Sequence, residues 1–510
     1  MSFNLATMLR ESAQAHPDKP CCRAGGRSVG YAELDVLSGR VAVNLLAAGL
    51  VRGDKVAVQL PNVPEFLQTY FGILKAGLVM VPLNPLLKAA EITHQLLDAQ
   101  VRLLITFDAC APEARKAAAG IDDLTLCLVG GAEPESGETA FASLCAPAPE
   151  ADADDVRDIA ATDADDTAVI IYTSGTTGRP KGAELTHFQL FMNCTTAGAV
   201  FGVRDDDVSL AVLPFFHVFG LSSLVNVTVR YGGTLSLVPR FDIGQVVDAM
   251  EEHGVSVFVG VPTMFHALQQ ADTDGRDLSR FRVACSGGAA MPEALMTAFE
   301  ERFGVAVLEG YGLSETASTA TMNPSAEDRR HLSIGKPIWG VEARIVDGDG
   351  NELPPGAEHI GEILLRGHNV MKGYYRNPEA TAEALRHGWL HTGDLAYRDR
   401  DGFLFVVDRV KDLVIRGGFN VYPREVEEVL YGHPAVAEAA VVGRPDERLG
   451  EEVVAVLSLR PGAAATAEEL IAFCRDRLAG YKCPREVRFL PELPKNATGK
   501  LLKRELRTGW

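Results

Sequence analysis

Short apolar runs alternate with amphipathic stretches through most of this chain, and that alternation admits few architectures. Lys55 to Leu60, Leu78 to Val81 and Val101 to Thr106 have strand length, whereas Glu65 to Ala76 and Ala89 to Ala99 repeat apolar residues at helical spacing. Strands separated by helices do not close as hairpins; they pair in parallel, with helices on the sheet faces. Residues 131–166 lose the period and are rich in Ala, Asp, Glu, Pro and Gly, which predicts a solvated excursion. The alternation then resumes, with strands at Val208 to Leu213, Thr234 to Val238, Val257 to Gly260 and Arg282 to Ser286 and helices at Gly244 to His253 and Thr263 to Gln270.

A chain of 510 residues exceeds what one core supports. From Val341 the texture changes to short strands and turns, at Glu342 to Val346, Gly361 to Arg366 and Phe403 to Val407. The last hundred residues read as an α+β unit, in which Thr466 and Glu469 form a capping-box pattern ahead of a helix. The expected fold is therefore α/β: a large N-terminal domain over residues 1–409, made of two α/β subdomains and a small β-barrel-like one, and a small α+β C-terminal domain over 410–510.

Charge supports that boundary. Residues 411–510 hold 16 Lys/Arg against 15 Asp/Glu, so the net −19 of the whole chain belongs to the N-terminal part. An acidic surface repels nucleic acid and anionic membranes, which disfavours a nucleic-acid partner. Nine cysteines with no Cys-x-x-Cys pair argue against a disulfide framework or a zinc site and fit a reducing cytoplasm. No run approaches the roughly 18 apolar residues of a membrane span, and the first twenty residues lack an apolar leader core. The expectation is a soluble, cytoplasmic, unprocessed protein without stable membrane insertion; a homodimer is compatible with it.

One segment carries the chemistry. A buried-strand run, Ala168 to Tyr172, empties into Thr173-Ser174-Gly175-Thr176-Thr177-Gly178-Arg179-Pro180-Lys181-Gly182. Glycines allow close backbone approach, and hydroxyls with one lysine supply donors, which suits a phosphate chain. It is not a Walker A loop, since Pro180 precedes Lys181 and Gly182 follows it. Further motifs come in order: Pro214-Phe215-Phe216-His217-Val218-Phe219-Gly220, Gly310-Tyr311-Gly312-Leu313-Ser314-Glu315-Thr316, Trp389-Leu390-His391-Thr392-Gly393-Asp394, Asp408-Arg409-Val410-Lys411-Asp412, Arg416-Gly417-Gly418-Phe419-Asn420 and Asn496-Ala497-Thr498-Gly499-Lys500. This ordered set resembles the adenylate-forming superfamily of acyl-CoA synthetases, coumarate-type ligases, luciferases and peptide-synthetase adenylation domains. The wording around Ser286 to Pro292 and Arg416 to Pro423 looks most like bacterial medium- and long-chain fatty acid–CoA ligases.

The resemblance implies attack of a carboxylate on the α-phosphorus of ATP, then transfer of the acyl group from AMP to a thiol. It implies ATP, Mg2+ and coenzyme A as cofactor and co-substrates, beside a small carboxylic acid. Lys500 is then the catalytic lysine, with His217 gating the acyl pocket and Glu315 catalytic as a magnesium ligand together with Thr176. Nucleotide contacts fall on Thr173, Ser174, Gly175, Thr176, Thr177, Gly178, Lys181, Gly288, Ala289, Ala290, Glu309, Gly310, Tyr311, Gly312, Thr316, Asp394 and Arg409. Tyr311 would stack on adenine, Thr316 would add a phosphate contact, and Asp394 would take the ribose hydroxyls. Lys411 corresponds to a hinge about which the C-terminal domain is mobile, Gly417 and Gly418 to the thiol tunnel, and Phe219, Ser223, Val261, Gly288, Gly312 and Leu313 to the acyl pocket. Three readings stay open beside the fatty-acid ligase: an aryl-acid ligase, transfer to a carrier protein, and an inactive nucleotide-binding scaffold.

Overall fold

The computed structural model describes residues 3–147, 156, 158–173 and 180–507. Two large sheets dominate. One has eight strands in the order Gly373–Tyr374, Lys181–Thr186, Thr167–Thr173, Val79–Pro82, Lys55–Gln59, Val101–Phe107, Thr125–Val129 and Glu138–Ala140. Its central pairs are parallel, as the strand–helix alternation requires. The pair Thr167–Thr173 and Lys181–Thr186 is antiparallel, with Thr173 opposite Lys181. The phosphate-loop stretch thus joins two strands of a hairpin instead of leading from strand to helix.

The second sheet has nine strands, Lys336–Pro337, Thr321–Met322, Val307–Tyr311, Val283–Ser286, Val257–Gly260, Val208–Ala211, Thr234–Leu237, Pro20–Ala24 and Arg27–Gly30. The N-terminal hairpin therefore completes the sheet whose other strands come nearly two hundred residues later. Between the two sheets, helix Pro64–Lys75 buries all but one of its twelve residues, including Phe66, Leu67, Tyr70 and Phe71. Burying side chains of that size stabilises by about 1.5–3 kcal/mol each, the main term holding the layers together.

The β-barrel-like subdomain is a five-stranded antiparallel sheet in which Trp389–Arg398 pairs with Gly361–Gly367, Leu385–Arg386 and Leu404–Arg409. A fourth sheet holds Val414–Arg416, Phe419–Val421, Val436–Asp446, Gly450–Leu459 and Glu486–Phe489. One buried apolar cluster draws wholly on residues 414–483, and no residue of that stretch joins the other clusters.

The expectation for residues 131–166 needs correcting. Strand Glu138–Ala140 extends the first sheet, and helix Phe141–Cys145 buries Phe141 and Leu144. Two anchors in five residues are too few to show a period. Among the described residues no helix is long and apolar enough to cross a membrane, and all nine cysteines are free thiols.

Candidate active site

Five distant segments meet at the C-terminal ends of the second sheet's parallel strands, where open α/β sheets place their ligands. Strand Val307–Tyr311 delivers Tyr311, whose Oη donates to Asp394 Oδ2 at 2.6 Å. Asp394 lies in strand Trp389–Arg398, only 3 % exposed, and its Oδ1 receives Arg409 Nε at 2.8 Å. Register aligns that pair, because Asp394 stands directly opposite Arg409 across the antiparallel strands. Each carboxylate oxygen keeps a second lone pair for a ribose hydroxyl. Burial, and then the Asp394 charge, raise the Tyr311 phenol well above its ordinary value, so it stays a donor.

Lys500 arrives on a turn at the far end of the chain. Asn496 builds that turn: its Oδ1 accepts from Thr498 N at 3.0 Å, Thr498 Oγ1 at 2.7 Å and Lys500 N at 2.9 Å. The turn rests on the N-terminal domain, where Thr263 Oγ1 donates to Gly499 O at 3.4 Å. Gly499 has φ +81°, and a Cβ there would lie 2.7 Å from Thr263 Oγ1, so both conformation and space call for glycine. Lys500 keeps exposed surface, so the cleft is open to water, yet protein groups crowd its ammonium. Desolvation first, and then the Arg409 and Lys411 charges, push it down to about 8.

His217 caps the short helix Val218–Gly220, its Nδ1 accepting from Phe219 N at 3.2 Å. That bond fixes the tautomer with the proton on Nε2. Desolvation, and then the Lys500 charge, push the imidazole down to about 4, so it is neutral at physiological pH. The pocket beside it closes on small residues. A Cβ at Gly287 would meet Phe219 at 2.9 Å and one at Gly288, φ +76°, would meet Val261 at 3.4 Å. Val261 is also 3.1 Å from a Cβ built on Gly499, so the apolar pocket and the Lys500 turn share a wall. Ala289 and Ala290 follow Gly288 on the same solvent-facing loop.

On the other side, Glu315 Oε1 accepts from Tyr374 Oη at 2.8 Å, and Lys181 Nζ lies 4.9 Å from the centre of the Tyr374 ring. Thr173 Oγ1 donates to Lys181 O at 3.4 Å. Tyr374 was not among the expected residues; its only signal is a place in the Lys372-Gly373-Tyr374-Tyr375 run. Among the described residues no three His, Cys, Asp or Glu side chains cage a metal by themselves. That donor set fits Mg2+, which is usually held by one or two carboxylates and the phosphates of its substrate. Ser174, Gly175, Thr176, Thr177 and Gly178 lie outside the described residues.

Three of the expected residues are buried and hydrogen-bonded within the protein. Thr316 is fully buried, and its hydroxyl serves the turn beneath Glu315, bonding Leu313 N at 2.8 Å and Ser318 O at 3.2 Å. Ser223 is buried with its hydroxyl spent on Ser318 Oγ at 2.7 Å and Thr319 Oγ1 at 3.1 Å. Glu309 is 4 % exposed and accepts Met291 N at 3.2 Å. Around these, Gly310 continues the strand and Gly312 is compulsory: a Cβ there would sit 1.4 Å from Ser318 O. Leu313 is half-buried above that turn. Lys411 is exposed next to Arg409, and desolvation and then that charge lower its ammonium. Gly417 and Gly418, φ +58° and +85°, form the exposed turn of a tight hairpin.

Residues 9–375 match the family described as AMP-binding enzyme and residues 425–500 its C-terminal domain. The chain is 38% identical to a long-chain-fatty-acid–CoA ligase of Bacillus subtilis, covering 98% of this chain and 94% of that one. It is 40% identical to a feruloyl-CoA synthase of an Amycolatopsis species, covering 97% and 96%. The crystal structure of ATP-bound MatB from Rhodopseudomonas palustris superposes with a TM-score of 0.90 at 36% identity, over 99% of this chain and 98% of that one. With family matches over residues 9–375 and 425–500 and CoA-ligase relatives that cover nearly the full length, the chain belongs to the AMP-binding enzyme family and is an AMP-forming acid–thiol ligase.

Proposed function

We propose that the chain joins a medium- or long-chain fatty acid to coenzyme A at the expense of ATP, in the cytoplasm, through an acyl-adenylate. The observation that carries the reading is the meeting of Lys500 with His217, Arg409 and Asp394 in one cleft whose adjoining pocket is apolar. A carboxylate and a triphosphate repel, so the catalyst needs positive charge and positioning more than a nucleophile of its own. The acid's oxygen attacks the α-phosphorus, the new O–P bond forms, and the bond to the β-phosphate breaks with its electron pair leaving on pyrophosphate.

Lys500, protonated, binds the two anions and the charge that develops between them. Asp394, held by Tyr311 and Arg409, fixes the ribose, and neutral His217 closes the acyl pocket without adding charge near Lys500. Glu315, steadied by Tyr374, would hold Mg2+, which neutralises phosphate oxygens when bound. In the second half the thiol attacks the acyl carbon and AMP leaves. For that step the division at residue 409, the hinge at Lys411 and the Gly417-Gly418 hairpin are the parts assigned to turning the C-terminal domain and admitting the thiol.

An aryl acid is the second reading, favoured by the 40% identity to a feruloyl-CoA synthase. Pyrophosphate release with acetate, octanoate, palmitate, benzoate and coumarate, with and without coenzyme A, separates the two. Turnover peaking on octanoate or palmitate supports the first, and a peak on coumarate or benzoate replaces it with the second.

A further inference from the structure

The C-terminal domain reaches the N-terminal one through a second contact, in the first two turns of helix Pro423–Tyr431. That helix has no side-chain cap of its own. Asp408, in the preceding strand Leu404–Arg409, supplies one: its Oδ2 accepts Arg424 N at 3.0 Å and its Oδ1 accepts Arg409 N at 2.8 Å. A single carboxylate thus ties the helix start to the residue that grips Asp394. The Arg424 guanidinium turns back and donates to Val406 O on the same strand, with its side chain only 14 % exposed. One turn on, Glu428 faces Arg424 at 3.9 Å and accepts Glu293 N at 3.4 Å from the first turn of helix Glu293–Phe303. A carboxylate at a helix N-terminus is favourable in itself.

Behind this contact lies Glu309, whose Oε2 is buried without a hydrogen-bond partner among the described residues. Burial pushes its carboxyl up to about 7, and the strongest influence drawing it back down is the Arg424 charge. Arg424 is therefore placed between a strand carbonyl and a buried acid of the N-terminal domain, which it answers only while the C-terminal domain sits in this orientation, and it faces Glu428, the glutamate of its own helix that docks on Glu293 N.

We infer that Arg424, with Glu428, is a latch that holds the C-terminal domain in the orientation delivering Lys500 to the cleft. It is a positioning residue for the adenylate-forming half of the reaction. The inference rests on the ligase reading for its kinetic consequence, though not for its structural one. Loss of the latch displaces Lys500 without touching the substrates, and a displacement of about 1 Å at a reacting group costs up to roughly 100-fold.

Arg424→Ala tests it in two measurements. Hydrogen exchange on the whole protein reads the latch directly: protection of the Glu293 amide and of the 496–500 turn falls, while the Gly450–Leu459 strand keeps its own. Pyrophosphate release falls about 10- to 100-fold, whereas conversion of preformed acyl-AMP to thioester changes less than about twofold. Unchanged exchange at Glu293 and the turn would overturn the proposal, as would equal slowing of both halves. Should the unmutated protein release no pyrophosphate with any acid, the ligase reading fails, and the exchange result still judges the latch.

Discussion

Lys500 gives the sharpest prediction, because its charge is both the proposed catalytic device and sensitive to its surroundings. The ammonium is pushed down to about 8 by desolvation and by Arg409 and Lys411, while Asp394 and Asp412 oppose them. Water in the open cleft weakens that shift, which places the titration at about 8 or above. The protonated form is the working one, so activity is present below that pH and is lost as pH rises through it. The dependence of kcat/KM for ATP reports the free enzyme. It should fall roughly tenfold for each pH unit once well past the titration, and not below pH 7. Bound triphosphate favours the ammonium, so the same limb in kcat moves to higher pH.

His217, already neutral, contributes no limb in this range. Glu309 does titrate nearby, at about 7, so the assignment needs variants. Lys500→Arg keeps its charge past pH 12 and abolishes the alkaline limb at a reduced rate. Lys500→Ala removes it along with about 10²- to 10³-fold of the adenylation rate. Stopped-flow pyrophosphate release from pH 6 to 10 reads all three. An alkaline limb that survives in Lys500→Arg would refute the reasoning.

Three other substitutions probe separate parts. Tyr374→Phe removes the hydroxyl that steadies Glu315 and leaves the ring under Lys181, so the Mg2+ concentration needed for half-maximal adenylation should rise about tenfold, since a bond to a charged group contributes roughly 1.5–3 kcal/mol; titration of activity against Mg2+ measures it. Gly312→Ala places a methyl 1.4 Å from Ser318 O and must move backbone, lowering unfolding stability by about 1–3 kcal/mol or more in a urea titration. Gly418→Leu puts a branched side chain at φ +85° on an exposed turn, at a local strain of about 1–2 kcal/mol. Pyrophosphate release should persist in that variant while thioester formation stops, and normal thioester rates would remove Gly418 from the thiol path.

The sequence made some parts of this molecule plain and hid others for physical reasons. Lys55 to Leu60 and Glu65 to Ala76 lie within a residue of the observed strand and helix, since a buried parallel strand and a helix against it leave strong patterns. Thr466 and Glu469 form the expected reciprocal cap, at 3.2 and 2.8 Å. Helix His187–Phe201 went unexpected because it is apolar on nearly every side, so no polar stripe marks its period. At the site, Tyr311, Asp394, Arg409, His217 and Lys500 were all legible in motifs and do converge. Glu315 was legible too, but its partner Tyr374 is 59 residues away and joined to it only by the fold. The same holds for Arg424 and Val406. The hydroxyl partners of Thr316 and Ser223 were not legible, because a hydroxyl's direction depends on backbone turned in space, here the strained pair Ala317 and Ser318 at φ +52° and +103°.

The most direct test of the central claim follows the acid's own oxygen. The enzyme is supplied with ATP, Mg2+, coenzyme A and palmitate carrying two heavy oxygens, and the products are weighed by mass spectrometry. Attack of the carboxylate on the α-phosphorus leaves one heavy oxygen in AMP, one in the thioester and none in pyrophosphate. ADP with label in inorganic phosphate, or unlabelled AMP beside thioester, would contradict the account.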